Sequence, residues 1–178
     1  MKLKIKVKVL EGGYMPQIID KGEWIDLRAA ESVVLPPCQS GTLIKKKIDG
    51  VEKGFRNVSM PVNYVRLGVA MKLPDGFEAT LVSRSSTPYK FNIFVPNSFG
   101  VIDNSYCGNE DEWKLICTPL KKATINRGDR ICQFRIQLSQ KATFWQKLKW
   151  FFSSGVELVE VDKLEDDNRG GIGSTGIK

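Results

Sequence analysis

Alternation is the feature that most constrains this chain. From Lys2 to Leu10, the residues Leu3, Ile5, Val7 and Val9 fall on one side and lysines on the other, the period of a half-buried strand. Short runs of strand character follow at 31–35, 41–44, 65–69, 78–82, 91–95, 114–118, 124–125, 132–138 and 156–161. Turn formers separate them, among them Pro36-Pro37, Pro74-Asp75-Gly76 and Asn126-Arg127-Gly128-Asp129. Many short strands at close spacing predict an all-β sandwich or barrel of the jelly-roll kind. The 178 residues suffice for one domain with a real core. That domain is read as residues 1–164. Residues 165–178 turn acidic and then glycine-rich, cannot build a core, and are expected to form a mobile tail unless a ligand orders them.

One segment departs from the strand pattern. Residues 141–152, KATFWQKLKWFF, place aromatics and leucine among lysines and predict a short amphipathic helix. It is expected to pack on the barrel or on a neighbouring subunit rather than on a membrane. No run reaches the ~18 apolar residues that span a bilayer, and the N-terminus reads as a strand, not a targeting sequence.

Composition excludes several chemistries. The chain has no histidine, which removes Ser-His-Asp and Cys-His catalysis and His-ligated zinc. A general base must be a carboxylate, Lys, Tyr or Cys. Cys38, Cys107, Cys117 and Cys132 are scattered without a C-x-x-C pair. They read as free, mostly packed thiols of a cytoplasmic protein. The net charge of +7 points to an anionic partner. The run Lys45, Lys46 and Lys47 reads as solvated strand faces and a loop.

Five polar islands carry the chemistry. The first is Asp26 between apolar residues, in Ile25-Asp26-Leu27-Arg28. The second, Ser83-Arg84-Ser85-Ser86, offers hydroxyls, a guanidinium and N–H groups, all phosphate ligands. The third, Gly100-Val101-Ile102-Asp103-Asn104-Ser105-Tyr106-Cys107-Gly108, reads as a hairpin that lets Asp103 and Tyr106 line one small pocket. The fourth is Gly128-Asp129-Arg130-Ile131-Cys132-Gln133. The fifth is Arg169-Gly170-Gly171-Ile172-Gly173-Ser174-Thr175-Gly176, a glycine-rich run that lets backbone amides approach phosphate oxygens.

In this order, the islands resemble the five motifs of the trimeric all-β dUTPases (deoxyuridine triphosphate nucleotidohydrolases) over nearly the whole chain. The resemblance implies a distorted jelly roll. It also implies a homotrimer with shared active sites, in which one subunit's tail closes a site formed by the other two. The implied reaction is hydrolysis of dUTP to dUMP and pyrophosphate with Mg²⁺. Asp103 matches the acid that activates water, and Tyr106 the ring under the deoxyribose. Asn97 and the backbone at Gly100 and Val101 match the uracil-reading segment. Arg84, Ser85 and Ser86 match the α,β-phosphate contacts, and Gln133 a further phosphate contact. Asp26 matches an acid holding a Mg²⁺-bound water. Arg169, Gly173, Ser174 and Thr175 match the tail around the γ-phosphate. Ile172 stands where the family usually has an aromatic, so it offers apolar cover without a π-face and implies weaker substrate binding.

Two alternatives remain at this level. dCTP deaminases resemble dUTPases in fold and in the second and third motifs, and use a Glu downstream of the third. Glu110 and Glu112 lie in that region, and release of ammonia rather than pyrophosphate would identify this branch. The other is a non-catalytic module that binds nucleic acid or protein through Trp145, Trp150, Phe151 and nearby lysines. A nucleic-acid partner is the less expected outcome.

Overall fold

A computed structural model describes residues 1–171. Ile172, Gly173, Ser174 and Thr175 lie outside the described residues. In chain order the strands are β1 (Leu3–Val9), β2 (Gln17–Ile18), β3 (Ile25–Arg28), β4 (Val33–Leu35), β5 (Gln39–Ile48), β6 (Val51–Ser59), β7 (Asn63–Arg66), β8 (Val69–Lys72) and β9 (Phe77–Ser83). Helix α1 (Thr87–Phe91) follows, then β10 (Ile93–Phe94), β11 (Gly100–Ile102), β12 (Lys114–Pro119), β13 (Ala123–Ile125) and β14 (Arg130–Leu138). Helix α2 (Phe144–Phe151) and β15 (Val156–Glu160) complete the order.

The predicted all-β architecture is what the chain adopts. The largest sheet has the order β11-β9-β14-β3-β2, and two smaller sheets run β15-β1-β8 and β10-β12-β7. Alternation explains the core. Leu3, Ile5 and Val7 of β1, Phe77, Ala79 and Leu81 of β9, and Phe134 and Ile136 of β14 all point inward and are buried. Each fully buried large side chain contributes about 1.5–3 kcal/mol. Trp113 closes the centre, edge-on to Phe134 at a centroid distance of 5.1 Å.

The structure departs from the sequence reading in three places. Residues 91–95 are read as a strand, but the chain enters α1 at Thr87 and leaves only the two residues of β10. Pro88 sits in the first turn of α1, where its missing N–H costs nothing, and Asn92 ends the helix in the left-handed region at φ 54°. The segment 100–108 is read as a hairpin. Instead β11 pairs antiparallel with β9, and the chain then turns, with Tyr106 N–H donating to Asp103 C=O at 3.0 Å. Finally, the Lys45–Lys47 run belongs not to a loop but to a long ribbon, β5-β6, that pairs only with itself. Asp49 and Gly50 make its turn at φ 52° and 80°, a conformation that Asp-Gly supplies readily.

Every residue of the ribbon is exposed. A lone two-stranded ribbon has little stability of its own, and here it lends none to the core. Gln39 lies directly across from Ser59, so the base of the ribbon is already closed. Replacing 39–59 with a short Gly-Ser linker is expected to change the stability of the remaining domain by no more than about 1 kcal/mol, because loop closure depends weakly on length. Urea unfolding checks this, and a loss several times larger would show the ribbon seated on something in solution.

The helix predicted at 141–152 is α2. Thr143 and Gln146 form a reciprocal capping box, with Thr143 N–H donating to Gln146 Oε1 at 2.7 Å. Only part of its apolar side is used: the Trp150 ring meets Phe77 at 5.4 Å, while Phe144, Trp145, Phe151 and Phe152 are exposed. No helix of the described residues is long and apolar enough to cross a membrane. All four cysteines are free. Burial pushes the Cys117 thiol up to about 11 and that of Cys132 further still. At Cys107 burial outweighs the Lys72 ammonium 3.8 Å away. These three are packed thiols rather than nucleophiles.

Candidate active site

A cavity of about 660 Å³ opens beside β11. Its walls include Tyr64 of β7, Leu81 of β9, Leu115 and Ile116 of β12, and the indole of Trp113. Asn97, Gly100, Val101, Asp103, Tyr106 and Arg169 also line it. Five of the residues singled out before Arg169 come from one stretch of chain, because β11 and the turn after it wrap around one end of the cavity.

Asp103 follows β11 directly, and its side chain is 51% exposed. Arg169 Nη1 donates to its Oδ2 at 2.8 Å. The carboxylate is therefore open to water on one side and faces a guanidinium on the other. Tyr106 presents its ring to the cavity and donates its O–H to Glu112 C=O at 2.9 Å. Burial, then the charges of Asp111 and Glu112, raise the phenol above its ordinary value. At neutral pH it is a neutral flat surface, not a base.

A second cluster sits on the β3–β9–β14 part of the large sheet. Asp26 pairs across the ladder with Gln133, and Gln133 also with Val82. Arg84 Nε lies 3.0 Å from Asp26 Oδ1, and Arg130 Nη1 lies 3.2 Å from Oδ2. Ser85 and Ser86 occupy the turn from β9 into α1. That turn is pinned by Thr87, whose N–H donates to Arg84 C=O at 3.0 Å and whose hydroxyl donates to Ile131 C=O at 2.8 Å. None of Asp26, Arg84, Ser85, Ser86 or Gln133 lines the Asp103 cavity. The chain thus brings its predicted site residues together as two clusters rather than one.

Asp26 requires a correction. It is read above as the acid that holds a Mg²⁺-bound water. In the structure it is 2% exposed, and both of its oxygens face guanidinium groups. A carboxylate neutralised by two arginines and shut from solvent does not suit a hydrated dication. Asp26 instead holds Arg84 and Arg130 in place. Among the described residues no group of three or more Cys, Asp or Glu side chains could hold a metal ion.

The residues after Gly108 were not singled out for this role, yet they organise one edge of the cavity. Glu112 accepts from Arg66 Nε at 3.0 Å and from Gly68 N–H at 3.0 Å, and its hydrogen bond and charge raise the Arg66 pKa. Gly68 needs to be glycine: its φ is +65° and its Cα side abuts the backbone of Gly13. Glu112 is thereby committed to structure, which leaves it poorly placed to activate water in a deaminase reaction. Asp111 is 2% exposed and binds backbone from both Gly108 and the tail. The signal in the sequence was the dense polar run Gly108-Asn109-Glu110-Asp111-Glu112, which reads only as a loop.

A family model described as dUTPase matches residues 51–147. The SPbeta prophage-derived deoxyuridine 5′-triphosphate nucleotidohydrolase YosS of Bacillus subtilis (strain 168) is 41% identical over 177 residues, covering 99% of this chain and all of that protein. The chain belongs to the dUTPase family. A deoxyuridine 5′-triphosphate nucleotidohydrolase of Helicobacter pylori (strain J99) is 30% identical, with 99% of this chain and 98% of that one covered. The dUTPase fold is also seen in solved structures. The dUTPase of Streptococcus mutans superposes with a TM-score of 0.59 at 18% identity, over 78% of this chain and 98% of that one. The Staphylococcus bacteriophage 80alpha dUTPase with dUpNHpp superposes with a TM-score of 0.56 at 19% identity, over 97% of this chain and 98% of that one. The dUTPase of phage phi11 of S. aureus coordinates a structural Mg(II) ion.

Proposed function

We propose that this chain hydrolyses dUTP to dUMP and pyrophosphate, with Asp103 as the base. The observation that carries the reading is the half-exposed Asp103 carboxylate on the wall of a cavity that also holds Tyr106 and Asn97, in a chain of the dUTPase family. Water attacks the α-phosphorus and gives its proton to the Asp103 carboxylate. A bond forms between the water oxygen and phosphorus. The Pα–O bond to the β-phosphate breaks, and its electron pair leaves with pyrophosphate. The Tyr106 ring supports the deoxyribose, while Asn97 and the β11 backbone at Gly100 and Val101 meet the base. Arg84, Ser85, Ser86 and Gln133 take the phosphates, where cations and N–H groups stabilise the charge that develops. Mg²⁺ is expected to arrive with the triphosphate, whose oxygens suit it, and no residue here is assigned as its ligand.

The separation of the two clusters supports a shared site. The Asp103 cavity supplies the base-and-sugar side and the Arg84 cluster the phosphate side, so a second copy must complete each site. This favours the homotrimer, and a monomer mass by sedimentation at micromolar concentration would remove that reading. Residues 172–178, with Ile172, Gly173, Ser174 and Thr175, are proposed to cover the γ-phosphate together with Arg169.

The decisive test is a product assay with dUTP and dCTP side by side. Pyrophosphate and dUMP from dUTP alone are expected. Ammonia from dCTP would move the chain to the deaminase branch. No turnover of either would leave a binding module.

A further inference from the structure

The root of the tail is held by consecutive residues of the strip after Tyr106. Asn109 acts like a strand neighbour to Leu164: its Oδ1 accepts from Leu164 N–H at 2.9 Å and its Nδ2 donates to Leu164 C=O at 2.7 Å. Leu164 itself is fully buried. Glu110 N–H donates to Asn168 Oδ1 at 2.9 Å, and Asn168 Nδ2 donates to Glu110 Oε2 at 3.1 Å. Asp111 binds the last turn. Its Oδ2 accepts from Gly108 N–H at 2.9 Å and Arg169 N–H at 2.9 Å, and its Oδ1 accepts from Gly170 N–H at 3.1 Å. One buried carboxylate thus ties a point on the cavity's own strip to two successive amides of the tail. Gly108 is part of the fit, since a Cβ there would lie 2.3–2.6 Å from Asn168.

This anchoring places the Arg169 side chain. With its backbone fixed by Asp111, Arg169 reaches Asp103 at 2.8 Å. A glycine-rich tail loses much conformational freedom when ordered, and an exposed ion pair between Arg169 and Asp103 contributes little by itself. Charge-assisted bonds from a buried carboxylate are stronger and do not depend on the substrate.

We infer that Asp111 is a positioning residue for the dUTPase reaction. It latches the tail root onto its own chain's Asp103 cavity and so delivers Arg169 to the site before any nucleotide binds. The inference rests on the reading of the site proposed above and adds the residue that sets the tail in place.

The test uses the full chain and two readouts. Limited trypsin digestion without nucleotide reports the Arg169–Gly170 bond directly. Asp111→Asn is expected to speed cleavage there by roughly tenfold or more, the scale of a lost charge-assisted bond. Asn168→Ala, which alters only an exposed side chain, is expected to move it in the same direction, and carries the test if Asp111→Asn does not fold. Steady-state dUTP hydrolysis supplies the second readout. Asp111→Asn and Arg169→Ala should each lower kcat/KM, and the double variant should be no worse than the poorer single one. Unchanged cleavage in both Asp111→Asn and Asn168→Ala would overturn the latch. Multiplicative losses in the double variant would overturn its role in placing Arg169. If the chain turns over no dUTP but the tail loses protection as expected, the latch stands and the reading of the site fails.

Discussion

Asp103→Asn is expected to lower dUTP turnover by about 10²–10⁴-fold, the usual contribution of a positioned general base. The change is nearly isosteric. An amide oxygen can still accept from Arg169 Nη1, which now sits 2.8 Å from Oδ2, so the cavity keeps its shape while the proton acceptor is lost. Binding of a non-hydrolysable dUTP analogue should stay within a few-fold of wild type. Pyrophosphate release and analogue titration check the two halves separately. Turnover within threefold of wild type would place the base elsewhere. The histidine-free composition would then leave few candidates around this cavity, because Tyr106 is held neutral and Glu112 is tied to Arg66 and Gly68.

The second large effect is expected at Asp26. Changing it to Asn removes the charge that two guanidiniums share. Bonds between charged partners are worth roughly 1.5–3 kcal/mol each, but both arginines reach solvent in part, which screens the loss. A net destabilisation of about 2 kcal/mol is expected in urea. Arg84 then loses its fixed position beside Ser85 and Ser86, so KM for dUTP should rise by roughly tenfold, about one broken charge-assisted contact. The Mg²⁺ concentration that half-saturates turnover should not move. That last readout separates an arginine-holding role from a metal-holding one. A large shift in Mg²⁺ dependence at unchanged stability would restore Asp26 as the holder of metal-bound water.

Much of the fold was legible because its signals are local. The alternation of Leu3, Ile5 and Val7 and the spacing of Phe77, Ala79 and Leu81 announce inward faces whatever the strands pair with. The helix at 144–151 was visible from its lysine and aromatic spacing. The β5-β6 ribbon was missed because three lysines in a row conceal alternation, although Asp49-Gly50 between Ile48 and Val51 is a strong turn signal. Residues 91–95 were misread because an apolar run was given more weight than Pro88 and Asn92, which fix a helix start and stop. At the site, the turn residues Asp103 and Tyr106 and the tail residue Arg169 meet at the cavity as their motifs implied. The pairing of Asp26 with Arg84 and Arg130 could not be read, since it depends on which strands become neighbours in the large sheet. The same holds for Asp111, whose three donors come from residues up to 59 positions away.

The pairing of β1 with β15 has a consequence for how the chain is made. Leu3 lies beside Val156 and Val7 beside Glu160, in parallel register, with β1 as the middle strand of its sheet. During synthesis β1 emerges first and can pair with β8, but its other edge stays open until nearly the whole chain has left the ribosome. For that interval a strand with three buried apolar side chains presents unpaired backbone to its surroundings, a template for mispairing with other nascent chains. The lysines at positions 2, 4, 6 and 8 lie along this strand. Charge on an open edge discourages such pairing, so this lysine run serves as a safeguard during birth as well as a solvated face in the finished molecule.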